Sequence, residues 1–195
     1  MEKNPISRYP IPPLNGLPKD LQEMILGVQE KAGFIPNVFL ALAHRPDELR
    51  SFFNYHDAIM LRESGLSKSE KEMIVVATSG SNNCTYCVIS HGAVLRIYEK
   101  NPLISDQIAI DYRKAQITTK QRAMLDFATK LARTPELVES KDHEGLKKHG
   151  FSDEDIWDIG AITSFFALSN RMAHLLDMQP NDEFFLMGRT PKQKP

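Results

Sequence analysis

Cysteine is scarce in this chain, with two among 195 residues, too few for the disulfide framework that staples a small secreted domain. Long apolar runs are missing as well. No stretch approaches the roughly 20 residues that cross a bilayer as a helix, and Met1 to Pro13 has neither the apolar core nor the cleavage site of a secretory leader. The protein is therefore expected in the cytoplasm, without a membrane partner. An excess of one charge is also lacking: 24 Lys and Arg against 25 Asp and Glu leave a formal net charge of −1. That balance gives no electrostatic reason to expect nucleic acid or an anionic surface as partner. Alternating runs of β-branched residues are absent, which excludes a sheet protein and leaves an all-α reading. What remains is enough for a real core, since 42% of the residues are hydrophobic.

Both cysteines fall in one stretch. Ser67 and Glu70 stand at capping-box spacing before the apolar run Met73 to Ala77, and Gly80 is expected to end that helix. A second helix is expected to begin at Cys84-Thr85-Tyr86-Cys87, with Asn82 or Asn83 as its N-cap. Residues three and four apart share a helix face, so Cys84, Cys87 and His91 should project from one side. A free thiol titrates near roughly 8.5, and both a helix N-terminus and a neighbouring base favour the thiolate. Helical Cβ atoms three residues apart lie roughly 5–6 Å from each other, whereas a relaxed disulfide wants roughly 3.5–4.5 Å. A bond within the pair would then distort the first turn and be easily reduced, as suits a catalytic pair.

Along the rest of the chain the punctuation is helical. Residues 1–17 form a proline-rich arm lying over the surface or a neighbour. Pro18 opens a helix to about Ala32, stopped by Gly33. Pro36 to Ala43 is a short helix, and Pro46 opens another through about Arg62, with Gly65 as its stop. His44 and His56 lie here and read as surface or capping residues. Ala93 to Glu99 continues the cysteine helix until Asn101-Pro102. Helical spacing recurs over Ser105 to Ala115, from Thr118 or Thr119 to Arg133, over the charged segment Glu136 to His149, and from Ser152 to about Met178. A single helical domain over residues 18–179 is expected, followed by a tail over 180–195. Phe184, Phe185, Leu186 and Met187 in that tail should pack on this chain or a partner subunit. Phe151-Ser152-Asp153 echoes Leu66-Ser67-Lys68, and the same offset sets Ser169 opposite Cys84 and Met172 opposite Cys87, as in a duplicated helical unit with thiols in one copy.

The constellation Glu72-x11-Cys84-x-x-Cys87-x-x-x-His91 resembles the alkyl hydroperoxidase D (AhpD)-like branch of the carboxymuconolactone decarboxylase superfamily, in particular its peroxidase-related proteins. The segments Gly33-Phe34-Ile35-Pro36-Asn37-Val38-Phe39, Ala41-Leu42-Ala43-His44-Arg45-Pro46, Arg122-Ala123-Met124-Leu125-Asp126-Phe127-Ala128 and Gly150-Phe151-Ser152-Asp153 are similar to that subgroup too. The resemblance implies an AhpD-like helical fold, a homo-oligomer (dimer, trimer or hexamer) and no cofactor. It also implies a thiol-dependent alkyl hydroperoxide reductase, restored by a thiol protein or small thiol. In that scheme Cys87 attacks the peroxide, Cys84 resolves the sulfenic acid, and His91 with Glu72 relays the proton. The spacing alone leaves open which cysteine attacks, since the helix dipole favours Cys84 and the imidazole favours Cys87. Tyr86 stands where the AhpD-like pattern often carries histidine or an acid. Three other readings compete: a general thiol-disulfide oxidoreductase, a lactone-processing decarboxylase-like enzyme using histidine and acid groups, and a zinc-bearing or purely oligomeric module. For zinc, Glu72, Cys84, Cys87 and His91 would be the ligands, but most structural zinc sites draw a second pair from another knuckle, which this chain lacks. Covalent haem would need histidine where Val88 stands.

Overall fold

Several helix starts in this protein are reciprocal caps. The Ser67 hydroxyl accepts from the Glu70 amide at 3.2 Å while the Glu70 carboxylate accepts from the Ser67 amide at 2.9 Å. Thr118 with Gln121 and Ser152 with Asp155 repeat the arrangement. Each pair satisfies amides that have no partner within the first turn. The computed structural model describes residues 5–189. It is built from α1 (Lys19–Ala32), α2 (Asn37–Leu42), α3 (Pro46–Met60), α4 (Lys68–Ser81), α5 (Thr85–Glu99), α6 (Ile104–Asp111), α7 (Thr119–Arg133), α8 (Ser140–Lys148), α9 (Asp153–Leu176) and α10 (Asp182–Leu186). Single 3-10 turns lie at Leu14–Gly16, Tyr112–Lys114 and Pro135–Leu137. Strands are absent among the described residues, so the chain is all-α.

The central bundle packs around α4. Its residues from Lys71 to Ser79 are all buried, with α5, α6, α7 and α9 against it. A helix enclosed on every side must be apolar nearly all round, which is why Met73 to Ala77 reads as one unbroken run. The main core gathers Met73, Ile74, Leu95, Ile108, Met124, Leu125, Ile159 and Phe166. A second cluster joins Leu21 and Ile25 of α1, Phe39 of α2 and Leu49 of α3 to Cys84, Tyr86, Cys87 and Ala173. The cysteines thus sit where the N-terminal helices close over the central bundle.

Several expected boundaries move. Gly80 lies inside α4 instead of ending it. A Cβ there would stand 2.6 Å from the carbonyl oxygen of Ala109, so the glycine permits close approach of α6. Gly65 does not stop a helix, since α3 has already ended at Met60; its missing side chain leaves room for the Asp155 carboxylate, which would lie 2.1 Å from a Cβ. The segment from Glu136 starts as a 3-10 turn, and α8 begins only at Ser140. The arm, where described, follows this chain: the Arg8 amide donates to Leu176 O at 2.7 Å, and the Gln179 amide to Ile6 O at 3.3 Å. The tail also folds back, as α10 with Phe184 buried against α5. Residues 1–4 of the arm and 190–195 of the tail lie outside the described residues.

Candidate active site

Asn83 turns the chain between α4 and α5. Its φ of 53° is left-handed, a conformation asparagine tolerates better than most residues. The Cys84 amide donates to Ser79 O and the Asn83 amide to Gly80 O, at 2.9 and 3.0 Å. This pairing of bonds closes the end of α4. Cys84 is therefore the last residue of one helix ending and the N-cap of the next, in extended conformation (φ −82°, ψ 94°), in place of the expected Asn82 or Asn83 cap. Because Cys84 stands outside the helix, the distortion expected of a disulfide between two helical positions does not arise.

Both cysteines are free thiols and each is 1% exposed. They are not equivalent. Cys87 lies in the wall of a cavity of about 310 Å³ that also contacts Glu72, Ser90, His91 and Ser169, and Cys84 is not part of that wall. The expected common face is thus split, with Cys84 behind Cys87. The remaining wall is mostly aromatic and aliphatic: Phe39, Phe52, Phe53, Met60, Phe165 and Phe166, with Tyr98 and Phe184. His91 Nδ1 is 2.8 Å from Glu72 Oε2, the carboxylate being buried in α4. A carboxylate only accepts, so Nδ1 carries the proton and Nε2 keeps its lone pair. The ring packs edge-on against Phe166, at 4.7 Å between centroids.

The two thiols act on each other's titration in opposite directions. Contact with the Cys87 thiol, reinforced by the Cys87 backbone amide and by His174 against the opposing effect of burial, lowers the Cys84 thiol to about 7. The same contact, together with burial, pushes Cys87 well up. Interacting groups titrate as a pair, so the pair loses its first proton near neutral pH and holds the second more tightly. Residues from α9 complete the surroundings. Ser169 Oγ is 3.8 Å from Cys87 Sγ, and Asn170 Nδ2 donates to Ser79 Oγ at 3.0 Å while its Oδ1 accepts from Asn82 at 2.9 Å. Tyr86 packs as a spacer: its hydroxyl accepts the Val38 amide at 3.0 Å, tying α2 to α5.

Glu72, Cys84, Cys87 and His91 are thus brought to one place. The sequence reading passed over Asn170, one polar side chain among several in its helix, with no local signal to single it out. It also passed over His56, read as a surface group. Its side chain is only 22% exposed and lies in the cavity wall.

These features define a helical protein with a buried dithiol, one sulfur of which faces an aromatic cavity beside an imidazole–carboxylate pair. The carboxymuconolactone decarboxylase family model matches residues 46–101, which hold the whole constellation. A structure described as the alkylhydroperoxidase AhpD core of an uncharacterized peroxidase-related protein from Ralstonia eutropha JMP134 is 64% identical. The match covers 97% of this chain and 100% of that one, with a TM-score of 0.96. An uncharacterized peroxidase-related protein from Silicibacter sp. TM1040 is 39% identical over 97% and 99% of the two chains, TM-score 0.91. The debrominase Bmp8, at 19% identity over 94% and 95% with a TM-score of 0.73, shares the fold. No curated protein matches the chain. The chain belongs to the AhpD-like branch of the carboxymuconolactone decarboxylase superfamily.

Proposed function

We propose that this protein is a thiol-dependent reductase of organic hydroperoxides in which Cys87 attacks first and Cys84 resolves. The observation that carries the reading is the single cavity that holds the Cys87 sulfur and the His91–Glu72 pair within an apolar wall. A hydroperoxide has a small polar head on an organic body, and such a wall receives the body while the head meets sulfur. His91 takes the first proton of the dithiol at Nε2, with Glu72 fixing the ring and stabilising the imidazolium. The remaining proton moves from Cys87 to Cys84, which puts the negative charge on the cavity-facing sulfur. Attack on the outer peroxide oxygen forms the S–O bond, breaks the O–O bond and releases the alcohol. Cys84 then displaces hydroxide from the sulfenic acid as water, giving the disulfide, which an external thiol reduces.

The enclosure of Cys87 favours a small substrate over exchange with a protein disulfide. Dimedone trapping tests the order of the sulfurs. Cys84→Ser should accumulate sulfenic acid at position 87, and Cys87→Ser should abolish labelling. Undiminished labelling in Cys87→Ser would reverse the assignment, and turnover surviving alanine at both cysteines would favour decarboxylase-type chemistry instead.

A further inference from the structure

A second histidine paired with a carboxylate lines the same cavity, from α3. His56, on α3, lies in the wall, and its Nδ1 is 2.8 Å from Oδ1 of the next residue, Asp57. As at His91, a proton on Nδ1 bonded to a carboxylate leaves Nε2 as the ring nitrogen with a free lone pair. The rings of Phe53, Phe165 and Phe166 hold the imidazole at 5.8, 6.0 and 6.5 Å between centroids. His91 touches the same Phe166 ring. Two histidines from α3 and α5, each oriented by its own acid, therefore border one aromatic space that also contains Cys87. Asp57 on its own helix, His91 on α5 and Glu72 on α4 are the charged groups that act on His56; burial is the largest influence and lowers its pKa, keeping the ring neutral and accepting.

We propose that His56 is a catalytic residue for the hydroperoxide step, taking the proton of the attacked oxygen at Nε2 and delivering it to the departing alkoxide. This rests on the hydroperoxide reading above and divides its proton traffic. As the Cys87 thiolate bonds to the outer oxygen, that oxygen becomes acidic and its proton passes to His56. The O–O bond breaks, sulfur is oxidised by two electrons to the sulfenate, and the imidazolium of His56 protonates the alkoxide to alcohol. The dithiol proton parked on His91 returns to the sulfenate. Thiol plus hydroperoxide thus become sulfenic acid plus alcohol, with no further reactant. His91 serves the sulfur and His56 the leaving group.

The two duties separate by leaving group. An alkoxide needs a proton as it departs, whereas the carboxylate released from a peracid does not. Single-turnover sulfenic acid formation is measured with tert-butyl hydroperoxide and with peracetic acid in the wild-type chain, His56→Gln and Asp57→Asn. His56→Gln should lose about 100-fold with tert-butyl hydroperoxide, the lower range for general acid–base help. It should lose no more than about threefold with peracetic acid, while the thiolate titration of the cysteines stays in place. Asp57→Asn, which keeps the imidazole, should show the same selective loss to a smaller degree and serves where His56→Gln does not fold. Equal losses on both oxidants, or none, overturn the proposal. A wild-type chain that forms sulfenic acid with neither oxidant overturns the hydroperoxide reading itself, and this proposal with it.

Discussion

At the scale of single residues, the dithiol is defined by unequal environments of two like groups. Cys84 terminates one helix and caps the next, where the Cys87 thiol and amide favour its anion, while the contact with Cys84 and burial disfavour the anion at Cys87. Since Cys84 falls to about 7 and Cys87 rises, the chain should carry one thiolate between pH 8 and 9, visible as a single step in ultraviolet thiolate absorbance centred near pH 7. Below that midpoint the thiolate fraction, and with it the rate of alkylation, should fall about tenfold per pH unit. Cys87→Ala removes the donor that stabilises the Cys84 anion and should move the midpoint upward, toward the ordinary thiol range. An unmoved midpoint would mean that the turn amides and nearby histidines, not the partner thiol, make the anion.

At the scale of elements, a buried lysine ties α3 to α4. The Lys71 ammonium donates to Ile59 O at 3.0 Å and to Arg62 O at 2.8 Å, covering carbonyls that the end of α3 leaves without amide partners. Burial lowers its pKa, yet a cation at a helix C-terminus is well placed for the dipole. This bond fixes the helix carrying His56 against the helix carrying Glu72. Lys71→Met should destabilise the fold by about 1.5–3 kcal/mol, the usual worth of hydrogen bonds to a charged group. The check is a lower urea midpoint at unchanged m-value. Sequence position explains what was legible here and what was not. Glu72, Cys84, Cys87 and His91 stand close in the chain at helical spacing, and the caps at Ser67, Thr118 and Ser152 are local chemistry, so both could be read directly. Lys71 looked like any charged residue beside Glu70 and Glu72, because nothing in α4 itself says that the end of α3 will lie over it. His56 reaches the cavity, and Asn170 the surroundings of the cysteines, from distant segments, and only packing brings them there. Gly80 was misread for a related reason: a helix stop and a close helix contact both select glycine.

At the scale of the whole molecule, residues 184–189 return to close the site. Arg96 on α5 is 3% exposed and spends its guanidinium on the tail, with Nε donating to Met187 O at 2.9 Å and Nη2 to Phe184 O at 2.8 Å, while Nη1 donates to Ser105 Oγ at 3.0 Å. Arg189 then grips Asp106 of α6 with two bonds, at 2.8 and 2.9 Å. Phe184, held by this clamp, packs edge-on to Phe34 at 5.0 Å and lines the cavity. A five-residue helix has too few internal bonds to stand alone, so α10 depends on Arg96 for its position. Arg96→Leu should therefore release α10 without unfolding the bundle. Hydrogen exchange at amides 184–187 should accelerate toward the unprotected rate, while those of Ile74 to Ala77 in α4 keep their protection. With Phe184 displaced, the cavity opens to solvent, and alkylation of Cys87 by a bulky maleimide should speed up relative to iodoacetamide. Equal loss of protection in α4 and α10 would instead make the tail an integral part of the core.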